Sequence, residues 1–98
     1  MIRIDTLNRC GTTLTIELVG YIYREEFDIL HDFLKSQAEE GITEVCIVAN
    51  DVRALSPLFE RDAVRLAQLG LTLRFQQLPL HLKYTLECWG LEAWIDDE

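Results

Sequence analysis

The run Glu44-Val45-Cys46-Ile47-Val48-Ala49 constrains the fold more than any other part of this chain. It is apolar after its first residue, rich in β-branched side chains and too short for a core helix, so it reads as a buried strand. It stops at Asn50-Asp51, which read as the turn leaving the strand. A short loop follows, and then Ser56-Pro57 opens an amphipathic helix. Ser56 stands where a helix N-cap belongs and Pro57 at the first helical position. A strand that delivers a hydroxyl to the positive end of a helix is a place for anions, including a phosphoryl group. It is equally an ordinary helix start.

The rest of the chain switches between two-fold and helical periodicity. Ile2-Arg3-Ile4 reads as a short first strand, and Asn8 to Gly11 as turn material. Leu14, Ile16 and Leu18 alternate with Thr13, Thr15 and Glu17, which predicts a half-buried strand from Thr13 to Val19 ended by Gly20. Arg24 to Glu40 predicts a helix with Phe27, Leu30, Phe33 or Leu34, and Ala38 on its apolar stripe, stopped by Gly41. Pro57 to Leu69 predicts a second helix, with Phe59, Ala63, Leu66 and Ala67 or Leu69 inward and Gly70 behind it. Leu71, Leu73 and Phe75 mark another strand. Pro79 opens a third helix that carries Leu82, Leu86 and Trp89 as far as Gly90. Leu91 to Ile95 reads as a last short strand, and Asp96-Asp97-Glu98 as a solvated tail.

The first two strands are close enough for a hairpin, and each later strand follows a helix and pairs in parallel through a right-handed crossover. The expectation is an α/β chain with residues 1–98 as a single domain. It has a four- to five-stranded mixed sheet and about three helices, with Glu44 to Ala49 in the interior and covered.

With 49% hydrophobic and 27% charged residues, the 98-residue chain is globular and not disordered. Its net charge of −8 and scattered Lys and Arg argue against nucleic acid and favour a partner with a basic patch. Cys10, Cys46 and Cys88 are too widely spaced for a zinc or redox motif, and Cys46 reads as a small hydrophobe in its strand. Met1-Ile2-Arg3-Ile4-Asp5 lacks the apolar stretch of a signal peptide, and no window is long enough to span a bilayer. The expected setting is a reducing cytoplasm, without membrane insertion.

This element order resembles the STAS domain, the fold of bacterial anti-sigma-factor antagonists and of the cytoplasmic domains of sulfate transporters. Leu14-Thr15-Ile16-Glu17-Leu18-Val19-Gly20 resembles the family's second strand and following glycine. Ser56-Pro57-Leu58 lies where the family carries the Ser-Gly-Leu part of its Asp-Ser-Ser-Gly-Leu motif. Gly70-Leu71-Thr72-Leu73 resembles its glycine-then-strand segment, and Pro79 through Gly90-Leu91 its last helix. The chain departs from the pattern where the motif aspartate falls on Ala54 and its glycine on Pro57, and Tyr21-Ile22-Tyr23 stands where an acidic residue is usual. The resemblance implies a non-enzymatic regulatory module that binds a serine kinase-type anti-sigma factor and is switched by phosphate on a serine.

The site candidates each carry two readings. Ser56 is a phosphoacceptor or a helix N-cap contributing about 1 kcal/mol. Asn50 and Asp51 are a partner surface at the carboxyl end of the central strand, or only its turn. Tyr21 and Tyr23 are aromatic anchors of an interface, or a cover for the sheet edge. Leu58 and Phe59 complete the expected partner surface at the helix start. His31 and His81 are isolated and read as solvent-facing, with no metal set and no cofactor implied. Glu25-Glu26 and Glu39-Glu40 read as solvated helix ends, and Trp89 and Trp94 as core anchors. No nucleophile–base pair or paired acid stands out, so an enzyme is the weakest expectation. A constitutive adaptor that has lost the switch is the alternative that Ala54 and Pro57 favour.

Overall fold

The computed structural model describes residues 2–96; Asp97 and Glu98 of the expected acidic tail lie outside them. Strand β1 (Ile2–Cys10) and strand β2 (Thr13–Ile22) form an antiparallel hairpin. Gly11, at φ +61°, opens its two-residue turn, a conformation that glycine adopts without steric cost. Helix α1 (Arg24–Glu39) leads to β3 (Glu44–Leu55), helix α2 (Phe59–Ala67) to β4 (Thr72–Gln76), and helix α3 (Leu80–Cys88) with a 3₁₀ turn (Glu92–Trp94) to β5 (Ile95–Asp96). The five strands lie in sequence order, with β2 through β5 parallel. This is the expected mixed sheet with three helices, and β3 is its central strand.

Successive crossovers that step the same way with the same hand must put their helices on one face of the sheet. Burial follows that rule. Leu14, Ile16 and Leu18 of β2, Val45, Ile47 and Ala49 of β3, and Leu73 and Phe75 of β4 share one core with Phe27, Leu30 and Leu34 of α1, Phe59, Ala63 and Leu66 of α2, and Leu82 and Leu86 of α3. The alternate residues of the same strands are only half-buried or exposed, among them Thr15, Glu17, Cys46, Val48 and Arg74. The central strand is therefore covered on one face, not on both as its apolar run suggested. Cys46 lies on the open face, where partial burial, and then Glu44, push its thiol above the ordinary value.

Several boundaries move. β1 runs to Cys10 rather than ending near Ile4, because Thr13 to Gly20 of β2 supply partners along its length. Leu7 is the extra residue of a bulge in it. β2 passes through Gly20 to Ile22, and β3 passes through Asn50-Asp51 to Leu55. The expected last strand is mostly the 3₁₀ turn, with only Ile95 and Asp96 in the sheet. Trp89 stacks on Phe59 with ring centroids 6.2 Å apart, and Trp94 lies 6.1 Å from Phe75, so both act as core anchors. His31 is not solvent-facing: it is half-buried against Phe27, 6.3 Å between centroids, while His81 is exposed. Arg65 ties α2 to α1, with its guanidinium 3.0 Å from Asp28 and 5.4 Å above the Phe27 ring.

Ile47 is fully buried beneath the helices, so Ile47→Ala should destabilise by about 2–5 kcal/mol. Val48→Thr, one residue on but facing the open side, should stay within about 1 kcal/mol of the parent. Urea unfolding of both variants checks the assignment of faces, and equal losses would contradict it.

Candidate protein-docking surface

β3 pairs with β4 only as far as Val48 and Gln76. Beyond that point it continues with β2 alone, as a two-stranded ribbon that projects past the carboxyl ends of β4 and β5. Two register shifts accommodate it, one between the pairs Glu17–Val48 and Val19–Asp51, the other between Gly20–Val52 and Tyr21–Ala54. Each inserts one extra residue on the β3 side; the first keeps Val52 inward, and the second sets Leu55 opposite the inward Ile22. Gly20, at φ +117°, lies in the ribbon, and a side chain there would be strained.

Because side chains alternate along a strand, Ile22 points into the core while Tyr21 and Tyr23 point away from it. The two rings stack on each other, with centroids 5.8 Å apart and planes at 21°. They are 46% and 47% exposed, so neither is buried as a cover over the sheet edge. The backbone N–H of Tyr23 donates to the Glu26 carboxylate at 3.2 Å, which pins the entry to α1. Burial opposes ionisation of Glu26, but hydrogen bonds from its own and Tyr23's backbone N–H outweigh it and hold the carboxyl below its ordinary value. Glu26 is therefore more than a solvated helix end. A tyrosine in place of the usual Ser or Thr hid the Tyr-x-x-Glu spacing that positions it.

At the far end of the ribbon the Ser56 N–H donates to the Ile22 carbonyl at 2.8 Å, joining the end of β3 to the end of β2. The Ser56 carbonyl accepts the Phe59 N–H at 2.9 Å, and the Ser56 Oγ accepts the Leu58 N–H at 3.1 Å. Ser56 thus opens a β-turn. Pro57 sits at its second position, where a fixed φ suits it, and Leu58 at its third with φ −82° and ψ −5°. The expected helix start at Pro57 is corrected to Phe59, and Ser56 serves as the turn's acceptor just ahead of the helix, not as its N-cap. Leu58 is 38% exposed beside it.

Tyr21, Tyr23, Ser56 and Leu58 are brought to one end of the molecule by the β2–β3 ladder. Phe59 is not part of that surface. It is 2% exposed, edge-on to Phe27 at 5.7 Å and stacked on Trp89, because it heads the apolar face of α2. Asn50 and Asp51 are exposed, but they lie at the first bulge inside β3 rather than in a loop after it. The five residues from Asp51 to Ser56 put them roughly 15 Å back along the ribbon. Arg53, the extra residue of the second bulge, is exposed between the two groups. No period-two reading could place it, since a bulge breaks the period. The first turn of α2 already holds Glu60 and Asp62, so the helix dipole faces two carboxylates of its own.

A small mixed sheet of sequential strands, helices on one face and a polar turn ahead of the second helix define the STAS-like fold. The solved structures with this fold include the anti-sigma factor antagonist SpoIIAA. Its unphosphorylated form superposes with a TM-score of 0.74 at 11% identity, covering 98% of this chain and 88% of that one. The Bacillus cell fate determinant SpoIIAA in its phosphorylated form gives 0.70 at 13% identity, over 98% and 91%. No family model and no curated protein matches the sequence. Among the described residues no helix is long and apolar enough to cross a membrane.

Loss of the Ser56 Oγ removes one exposed side-chain acceptor for a backbone N–H, so Ser56→Ala should cost about 0.5–1.5 kcal/mol. Ser56→Asp keeps an acceptor and should melt close to the parent. Thermal unfolding of the pair tests the turn geometry, and a parent-like Ser56→Ala would show that the bond adds nothing.

Proposed function

We propose that residues 1–98 act as one non-enzymatic regulatory domain that docks a protein partner on the surface formed by Tyr21, Tyr23 and Leu58 around Ser56. The observation that carries this reading is the stacked, exposed tyrosine pair at the end of the β2–β3 ladder, the end that also carries the exposed Leu58. Large aromatic side chains that are ordered before contact lose little entropy on binding and make strong interface anchors. The fold shared with SpoIIAA supports the partner class, an anti-sigma factor or a related serine kinase-like protein in a bacterial cytoplasm. Asn50 and Asp51 form an outlying part of the same docking side, and the chain needs no cofactor for this role.

In its first form the proposal makes Ser56 a phosphoacceptor whose phosphate blocks docking. The phosphoryl group would bring charge of about −2 to the centre of the contact, where it is desolvated without a counter-charge. A second form, a constitutive adaptor in a lipid-transport or signalling complex, is favoured by three particulars. Ala54 supplies no acidic neighbour, Pro57 offers no N–H to a phosphate, and Glu60 and Asp62 repel an anion from the helix end.

The experiment begins with the partner purified from the native cytoplasm and identified by mass spectrometry, then titrated against variants. Docking on this surface requires that Tyr21→Ala with Tyr23→Ala weaken binding by about tenfold or more, with melting unchanged. If the partner binds that double variant as tightly as the parent, the surface is wrong. The switch requires Ser56→Ala to bind and Ser56→Asp to fail, whereas the adaptor binds both.

A further inference from the structure

We propose that two copies of this chain associate through β1, joining their sheets edge to edge about a two-fold axis at Ile4. The sheet has two edges, and they are guarded differently. Among the described residues β5 offers Ile95 and Asp96, a short stretch beside the long β1. β1 is nine residues long, with a row of outward N–H and C=O groups on every second residue. Its bulge at Leu7 breaks the edge between Thr6 and Asn8 and leaves Ile2 to Thr6 as the longest uninterrupted stretch.

Charge selects one register for that segment. An antiparallel two-fold centred on Arg3 sets Arg3 opposite its own copy, and one centred on Asp5 does the same with two carboxylates; both are repulsive. Centred on Ile4, Arg3 of each chain faces Asp5 of the other, Ile2 faces Thr6, and Ile4 faces Ile4. Directly opposite residues point to the same side of the sheet. The open side then carries Arg3 and Asp5 from both copies as a ring of alternating charge. The helix side carries Ile4 against Ile4, flanked on each side by Ile2 against Thr6; Ile2 and Ile4 already pack on the core and are only half-buried.

A second observation points the same way. Within one chain Asp5 stands directly opposite Glu17, a like-charge pair on the open face. Its cation within the chain is Arg3, at 2.8 Å, and that pair is well exposed. The partner's Arg3 adds a second cation next to the two carboxylates. A ladder of five residues is smaller than a standard interface, and net charges of −8 oppose each other, so the dimer is concentration-dependent.

Sedimentation equilibrium in about 0.15 M salt, from about 10 μM to about 1 mM, reads the association where long-range repulsion is screened. The parent should shift from monomer to dimer across that range, and amide exchange of residues 2–6 should slow as it does. Arg3→Asp and Asp5→Arg should each weaken the dimer by about tenfold or more, because the two-fold places the altered contact twice. Mixing the Arg3→Asp chain with the Asp5→Arg chain restores opposite signs at both contacts, and the mixture should associate like the parent. A parent that stays monomeric to about 1 mM overturns the proposal. So does a dimer indifferent to either substitution, or a mixture that is not rescued.

Discussion

The parallel ladder between β2 and β3 is the constraint on which the rest of the structure depends. It carries the most buried side chains of the sheet, from Leu14 and Val45 at one end to Ile22 and Val52 at the other. It also outlasts the sheet it belongs to, since β4 stops at the level of Val48. A two-stranded ribbon is marginal alone in water. This one is held because its inward residues pack beneath α1 and α2, and because the Ser56 N–H closes it onto the Ile22 carbonyl. The two bulges follow from the same demand. Without the first extra residue, β3 would bring Asp51 inward where Val52 now sits, and without the second it would set Ala54 rather than Leu55 opposite Ile22, since a slip of one residue flips every side chain to the other face.

The architecture was legible because it rests on periodicity. Alternation at Leu14, Ile16 and Leu18, and the stripe of Phe27, Leu30 and Leu34, give element type and inward face without reference to anything else in the chain. The strand ends were not legible, for a physical reason. Asn50-Asp51 and Gly20 are residues that usually end strands, and here they occupy a bulged ribbon whose pairing is decided by distant partners. The open face was hidden too. Cys46 and Val48 are apolar enough to pass for core, and only the common side of the three crossovers leaves them half-exposed. At the site, the hydroxyl of Ser56 and the tyrosines were visible as candidates. Their grouping, and the removal of Phe59 from the surface, needed the turn at Pro57 and the ring contacts of Phe27 and Trp89.

The same distinction explains how a chain 11% identical to SpoIIAA keeps its fold. What a sheet covered on one face demands is a binary pattern and filled volume, and many sequences satisfy both. The turn ahead of α2 is under no such demand. Its backbone is fixed by the Ile22, Leu58 and Phe59 hydrogen bonds, so the side chains it displays can change while the fold does not. Fold therefore sets where the turn stands, and the residues of the turn set its chemistry.

For Ser56 that chemistry is set by a balance of small terms. Modification of the Ser56 oxygen replaces its O–H and can leave in place the bond from Leu58, which is made to a lone pair and is worth about 0.5–1.5 kcal/mol. The turn would tolerate this, because the Ser56 N–H and carbonyl remain bonded. A phosphate at that position would gain from the positive end of α2, an effect of about 0.3–1 kcal/mol at the surface. It would lose against Glu60 and Asp62, which occupy the same first turn, while Arg61 lies 3.6 Å from Asp62 and is partly committed to it. Pro57 removes the N–H that would otherwise approach an oxygen of the added group. The local field around Ser56 thus favours the neutral hydroxyl, and in that state the end of the molecule that exposes Tyr21, Tyr23 and Leu58 carries no added charge.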